Sequence, residues 1–310
     1  FVWASDATDE KGQNRILDIR ASFFPTIYGD AIVLRMLNRS DILIDLKSLG
    51  LNKNDLAIIR NLTTKPFGMV LITGPAGSGK TTMVYSILNE LANSNRNIIT
   101  LEDPVEYFLP MVRQSKISPE RDYTFAVGIR SVLRQDPDMI VVGEIRDLET
   151  AENAIRASLT GRLLLATLHA NTAVGTITRL IDMKIERDLV AYSLTGIINQ
   201  RLVRKICPDC REEYHPPQEI MHGLGLGISD RVYHGRGCKA CKNSGYSGRI
   251  GIFGILAIND EIRRMIINNA SEQEINKVAV EGGYESVRED GLSKIKDGLT
   301  TPEEVFRASS

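Results

Sequence analysis

The stretch GPAGSGKTT at residues 74–82 has the residue types and spacing that hold phosphate. Gly74, Gly79, Lys80 and Thr81 fit the pattern G-x-x-x-x-G-K-[ST], and Gly77, Ser78 and Thr82 complete the loop. Glycines let backbone N–H groups turn inward onto phosphate oxygens. The Lys80 ammonium reaches the β- and γ-phosphates, and the Thr81 hydroxyl offers a ligand to Mg²⁺. A helix starting behind the loop adds a favourable dipole. The pattern predicts nucleotide binding and leaves the use of the nucleotide open, because unrelated machines share it. Asn52–Asp55 has the letters of a guanine-selecting N-K-x-D stretch but precedes the loop, and carries little weight.

Further candidates sit at the ends of apolar runs. MIVVGEIRD at 139–147 ends a strand at Gly143-Glu144, where a carboxylate can order a Mg²⁺ shell or a water; read alone, it is also an ordinary acid opening a loop. IITLEDPVEY at 98–107 follows a strand with Glu102, Asp103 and Glu106, a set able to polarise water or fix a metal, or simply a solvated acidic turn around Pro104. LLLATLHAN ends on His169, which by itself decides nothing. Cys207-x-x-Cys210 and Cys238-x-x-Cys241 are two knuckles that together can offer four thiolates to a tetrahedral metal, zinc being the best fit; a redox use of the pairs is the alternative. His215 and His234 read as surface residues.

Elements that would position these groups are legible in the periodicity. GMVLIT, NIITLED, MIVVGE and RLLLATLHA read as short apolar strands alternating with helices over about 80–93, about 122–134 and LETAENAIRASLT, which suggests a buried, mostly parallel sheet in an α/β fold. VGTITRLIDM and DLVAYSLTGIINQRLV read as further helices. Residues 15–20 and 31–37 read as strands joined by a turn in SFFPTIYGD. SDILIDLKSLGLNKNDLAIIRNLTTKPFG, residues 40–68, reads as a short helix, Gly50, a second helix from Asn52 and a turn. Residues 207–250 are rich in Cys, Gly, His and Pro, and 260–310 return to helical spacing. The 310 residues are 43% hydrophobic and 25% charged, with Lys+Arg 38 against Asp+Glu 39; this near-neutral balance weighs against a non-specific nucleic-acid binder. No apolar run reaches the length of a membrane span, and no signal peptide is expected.

Taken together, the motifs resemble the secretion-type ATPases of bacterial type II secretion and type IV pilus assembly. GPAGSGKTT matches the phosphate loop, ITLEDPVEY the aspartate box, RSVLRQDPDMIVVGEIRDLETA the Walker B region and TGRLLLATLHANTA the histidine box. The resemblance runs from about residue 11 to the end. It implies a RecA-like P-loop core over 46–205, part of a preceding PAS-like, β-containing domain over 1–45, a small tetracysteine zinc subdomain over 206–250 and a helical C-terminal region over 251–310. It also implies roles: Glu106 as the carboxylate acting on water, Glu144 as the acid supporting Mg²⁺, His169 as a sensor of the γ-phosphate, and Arg20 and Arg35 as guanidinium groups brought to the nucleotide from the preceding domain. The tetracysteine element, with GCKACKNSGYSGRIGI, is similar to the assembly and secretion branch. Departures are Arg162 where the family's histidine opens the last motif, KGQNRI in place of Q-D-G-R, and Gly254 in place of a glutamate. The family's large N-terminal part, which docks on the membrane platform, is expected to be missing.

The sequence thus predicts a cytoplasmic, Mg²⁺-dependent ATP-hydrolysing motor, peripheral to the inner membrane face. It is expected to act as a hexameric ring on an inner-membrane platform protein, with no nucleic-acid partner. A nucleic-acid translocase on a similar core, a DNA-uptake pilus motor and a non-enzymatic metal-ribbon module that binds nucleotide are the rival readings.

Overall fold

The computed structural model describes residues 2–8, 14–38, 44–92, 95–227 and 230–309, with the side chains of the first two stretches described only at 19 and 21–34. The chain opens with a three-stranded antiparallel sheet: β1 (Val2–Thr8), β2 (Asn14–Thr26) and β3 (Gly29–Asn38), in that order. SFFPTIYGD is not one long turn. The strands continue through Pro25, and only Ile27 and Tyr28 make the tight reversal.

A 3-10 turn at Leu46–Leu49 ends on Gly50 at φ 97°. Helix α1 (Lys53–Thr64) is capped by the Asn52 side chain, which accepts from the Asp55 amide. The core then runs β4 (Gly68–Thr73), α2 (Lys80–Leu91), β5 (Ile98–Glu102), β6 (Arg113–Lys116), α3 (Phe125–Val132), β7 (Met139–Val142), α4 (Leu148–Leu159), β8 (Leu163–Leu168), α5 (Ala173–Asp182), α6 (Arg187–Ser193) and β9 (Leu194–Ile206). β4, β7 and β8 are buried at every position, because helices cover both faces of a parallel sheet and solvent reaches neither.

Two small strands follow, β10 (Arg211–Tyr214) and, after α7 (Gln218–Leu224), β11 (Val232–Gly235), paired antiparallel. β12 (Tyr246–Ala257) returns to the main sheet, and α8 (Asp260–Ile267), α9 (Glu272–Glu281), α10 (Val287–Lys296) and α11 (Pro302–Ser309) finish the chain. The seven-stranded sheet has the order β12-β9-β4-β8-β7-β5-β6, parallel except for β12 against β9. This is the expected α/β, RecA-like core with a mostly parallel sheet, a preceding β unit, a cysteine-bearing excursion and a helical C-terminus.

One reading is corrected. DLVAYSLTGIINQRLV is not all helix: the helix stops at Ser193, and residues 194–206 form a long strand between β4 and β12. Thr195, Ile197, Ile198 and Val203 are β-branched, and Gly196 lies against the Leu62 side chain, where a Cβ would come within 2.4 Å. A strand buried on both faces loses the alternation that would separate it from a helix.

Among the described residues no helix is long and apolar enough to cross a membrane.

Candidate functional site

The carboxyl ends of β4, β5, β7 and β8 point to one open cleft with about 830 Å³ of empty space. Its lining includes Gly77, Lys80, Thr81, Asp103, Glu106, Glu144 and His169, so the phosphate loop, the aspartate box, the Gly-Glu strand end and the histidine meet there. Strand order explains the meeting, since β8 lies beside β4, β7 beside β8, and β5 beside β7. Ligands of open α/β sheets bind outside these strand ends.

The loop is built for close approach. Gly74 has φ 147°, and a Cβ there would stand 2.4 Å from the Gln200 carbonyl. Gly79 has φ 89°, and a Cβ would meet Gln200 Nε2 at 2.7 Å. Lys80 Nζ donates to the Gly74 and Pro75 carbonyls at 2.8 and 2.9 Å. Burial, and then Arg201, lower the Lys80 pKa, while Glu144 opposes them. The Ser78 hydroxyl is buried and finds no partner in the protein. Thr81 is exposed at the cleft mouth, while Thr82 is half-buried behind it. A buried hydroxyl with no partner among the described residues, a lysine resting on loop carbonyls and an exposed threonine fit a polyphosphate with its Mg²⁺.

The acidic groups divide. Glu102 is buried and fully engaged: it accepts from the Tyr85 hydroxyl, from Thr100 Oγ1 at 2.6 Å and from Gln114 Nε2 at 3.1 Å. It therefore holds β5 and β6 together. Glu106 is half-buried and lines the cleft, and its amide donates to Tyr85 Oη at 3.2 Å, as does that of Tyr107. The Asp103–Pro104 peptide is cis. Glu144 is paired with Arg146. The carbonyl beside it, at Gly143, accepts from Thr167 Oγ1 on the neighbouring strand. His169 is exposed at the tip of β8; partial burial, then the charge on Lys80, lower its pKa, so the neutral imidazole faces the cleft at neutral pH.

Several arginines of the matched stretches lie elsewhere. Arg162 precedes β8, at the opposite end of the strand from His169, about 23 Å away at ~3.3 Å per residue, and donates to the Thr160 carbonyl at 2.7 Å. Arg130 pairs with Glu149 on the surface at 2.6 Å, and Arg134 donates to the Arg130 carbonyl. Arg20 and Arg35 are direct partners across β2 and β3. Their side chains lie outside the described residues.

Tyr85, Gln114 and the β9 residues Asn199, Gln200 and Arg201 line or brace the loop without having been singled out in the sequence. Gln200 carried a signal: a polar pair, Asn-Gln, interrupts an apolar run. The helical reading of that run hid it.

The cysteines form a second centre. All four Sγ atoms lie within 4.8 Å of one another. Separations of 3.9, 3.9 and 3.7 Å match the edge of a tetrahedron, about 3.8 Å, around a metal bonded to sulfur at ~2.3 Å. Cys207 directly follows β9 and leads into a one-turn 3-10 segment carrying Cys210. Cys238 and Cys241 sit on a turn closed by Lys242 and Asn243 in the left-handed region. Gly235 and Gly245 pass so closely that a Cβ on Gly235 would lie 2.0 Å from the Gly245 carbonyl. Burial pushes the Cys210 thiol up to about 12. At Cys241 burial acts the same way, but the amides of Cys238 and Gly245, donating at 3.2 and 3.3 Å, outweigh it and bring the thiol to about 6. Four clustered sulfurs fit a bound metal ion. His234 is not among them: it pairs with Glu212 and stacks on Tyr214.

Comparison with known proteins agrees with this geometry. A sequence model of the family described as type II/IV secretion system protein matches residues 10–307. Type II secretion system ATPase E of Vibrio cholerae is 44% identical over 297 residues, covering 95% of this chain and 59% of that protein. Type IV pilus assembly ATPase PilB of Thermus thermophilus is 43% identical over 294 residues, covering 94% of this chain and 33% of that protein. The chain thus spans less than two thirds of these relatives. Among solved structures, the pilus retraction motor PilT with bound ADP is similar with a TM-score of 0.70 and 28% identity, covering all of this chain and 77% of that one. The ATPase DotB of Legionella pneumophila shares the fold, with a TM-score of 0.72 and 23% identity over 99% of this chain and 76% of that one. The chain belongs to the type II/IV secretion system protein family.

Proposed function

We propose that the chain is the core of an ATP-hydrolysing motor that powers assembly of a type IV pilus or a type II secretion pseudopilus. The observation that supports this best is the gathering of Lys80, Thr81, Glu106, Glu144 and His169 around one cleft. The names of the relatives point the same way.

In this reading the amides of Gly74–Gly79 and the Lys80 ammonium hold the β- and γ-phosphates, and Thr81 and Glu144 hold the Mg²⁺ shell. Bound Mg²⁺ supplies neutralisation of phosphate charge. Glu106 orients the attacking water and takes its proton, held in place by Tyr85. Neutral His169 reports on the γ-phosphate position. Arg20 and Arg35 share one face of the β2–β3 pair and bring guanidinium charge toward the nucleotide as the first unit moves. Zinc, held by Cys207, Cys210, Cys238 and Cys241, is a structural clip for a segment with a small core of its own.

The same reading includes a division into units 1–45, 46–205, 206–250 and 251–310. It includes a hexameric ring, since arginines on a separate unit must be positioned by neighbouring parts. It places the motor in the cytoplasm against the inner membrane, acting on a platform protein there, with no nucleic acid involved. The test is ATP turnover of the assembled chain, with Lys80→Ala as the control, alongside capture of the platform protein. Turnover stimulated by DNA and lost with salt would instead favour a translocase.

A further inference from the structure

A second cavity is lined by the β9 residues that alternate with the one facing the phosphate loop. Gln200 approaches Gly79, while its neighbours Asn199 and Arg201 point the opposite way. With Ser286 and Arg288 at the start of α10 and Asn171 after β8, they line about 470 Å³ of empty space. None of the described lining residues is acidic.

Three observations there are unexplained by the fold. Arg201 is half-buried, and burial lowers its pKa. Its hydrogen bonds go to backbone carbonyls, Asn171 O at 2.8 Å and Gln200 O at 3.5 Å, and no described carboxylate pairs with it. Arg288 adds a second guanidinium, bonded to the Gly223 carbonyl. Asn199 is fully buried; its Nδ2 donates to Thr73 Oγ1 at 2.9 Å and the Ala170 carbonyl at 3.3 Å, while its Oδ1 has no partner among the described residues. A cavity with two arginines, no acid and one orphaned acceptor asks for an oxyanion that also carries a hydroxyl. Hydrogen phosphate and phosphate monoesters have that chemistry. The capping box of α10 already engages the Ser286 and Glu289 amides through each other's side chains, so neither of those two amides is a donor to the anion.

We propose that this cavity binds a phosphate-class oxyanion, gripped by Arg201 and Arg288, with Asn199 Oδ1 accepting from its hydroxyl. The site touches both sides of the cleft: Asn199 bonds the residue preceding Gly74, and Arg201 bonds the backbone two residues after His169. The assignment holds whether or not the chain turns over nucleotide.

The test is titration calorimetry on the full chain carrying Lys80→Ala, which removes the competing grip of the loop. Inorganic phosphate and glycerol 3-phosphate serve as separate probes. Binding of either is expected to persist in this background. It should weaken at least about 10-fold when Arg201→Gln is added, the scale of one charge-assisted hydrogen bond. Arg288→Gln, an exposed change that leaves the fold intact, should weaken it in the same direction. Binding of phosphate alone identifies free phosphate as the ligand; binding of both probes identifies a phosphate group. The proposal is overturned if neither probe binds the Lys80→Ala chain, or if binding is unmoved by both arginine changes.

Discussion

The Glu106 amide is tied to the Tyr85 hydroxyl at 3.2 Å, and that same hydroxyl donates to buried Glu102. One side chain of α2, the helix behind the phosphate loop, thus fixes the backbone that carries the cleft's acidic loop. Gln114 completes the brace: its Nε2 donates to the Tyr107 carbonyl and Glu102, and its Oε1 accepts from the Leu109 amide.

Tyr85→Phe keeps the ring and removes the hydroxyl. Two amides and one buried carboxylate lose their partner, which should cost about 1–3 kcal/mol of stability. ATP turnover should fall by about 10-fold with little change in KM, because the hydroxyl is spent on the Glu106 and Tyr107 amides and on Glu102, and so positions Glu106. Thermal melting and steady-state turnover check the two halves separately. An unchanged kcat would mean the acidic loop holds its place without Tyr85.

Lys80→Ala should abolish tight nucleotide binding while leaving the fold intact. The Nζ contacts now made are only to the Gly74 and Pro75 carbonyls of the loop, and no carboxylate is left unpaired by its loss. Equilibrium binding of a fluorescent ATP analogue is the measurement, and an affinity loss of about 100-fold or more is expected from a charged phosphate contact in a partly buried site.

Much of this was legible in the sequence, and the limits have physical causes. The loop, the strand ends and the cysteine pairs announce themselves because phosphate and metal chemistry restrict residue type and spacing. The sheet order was not legible, since parallel neighbours are set by crossovers rather than by local pattern. Residues 194–206 were read as helix because a strand buried on both faces shows no period of two. Spacing alone leaves the three acids at 102–106 equivalent, and only the resemblance singles out Glu106; burial makes Glu102 a structural acceptor, while Glu106 lines the cleft. The brace of Tyr85 and Gln114 joins residues 29 positions apart and leaves no mark in any short stretch.

Metal removal should loosen one region and spare the rest. Chelation, or Cys238→Ser, should make residues 207–245 sensitive to proteolysis, because the four sulfurs converge from its two turns. Elemental analysis should find one zinc per chain before and none after. Protease resistance retained without metal would show that the β10–β11 pair and the packing of Met221, Leu224 and Val232 suffice.

Asp55 gives a pH signature. Burial, then the charges of Asp290 and Glu285, raise its pKa from 3.8 to about 6, with Lys294 partly opposing. A raised folded pKa means its contribution to stability is complete below about pH 4 and is lost as pH rises through about 6. Asp55→Asn should therefore remove a downward slope between these values. After discounting for partial exposure, the variant should gain roughly 1 kcal/mol relative to the parent between pH 4 and pH 7. Urea melts at both pH values check the sign.

The most direct test of the central claim is phosphate release by the assembled Glu106→Gln chain with saturating Mg·ATP. Loss of a general base that touches the water should slow turnover by about 100-fold or more, while ATP affinity stays near that of the parent, since phosphate contacts come from Lys80 and the loop. Turnover at the parental rate would contradict the assignment of Glu106, and with it the account of how the cleft uses ATP.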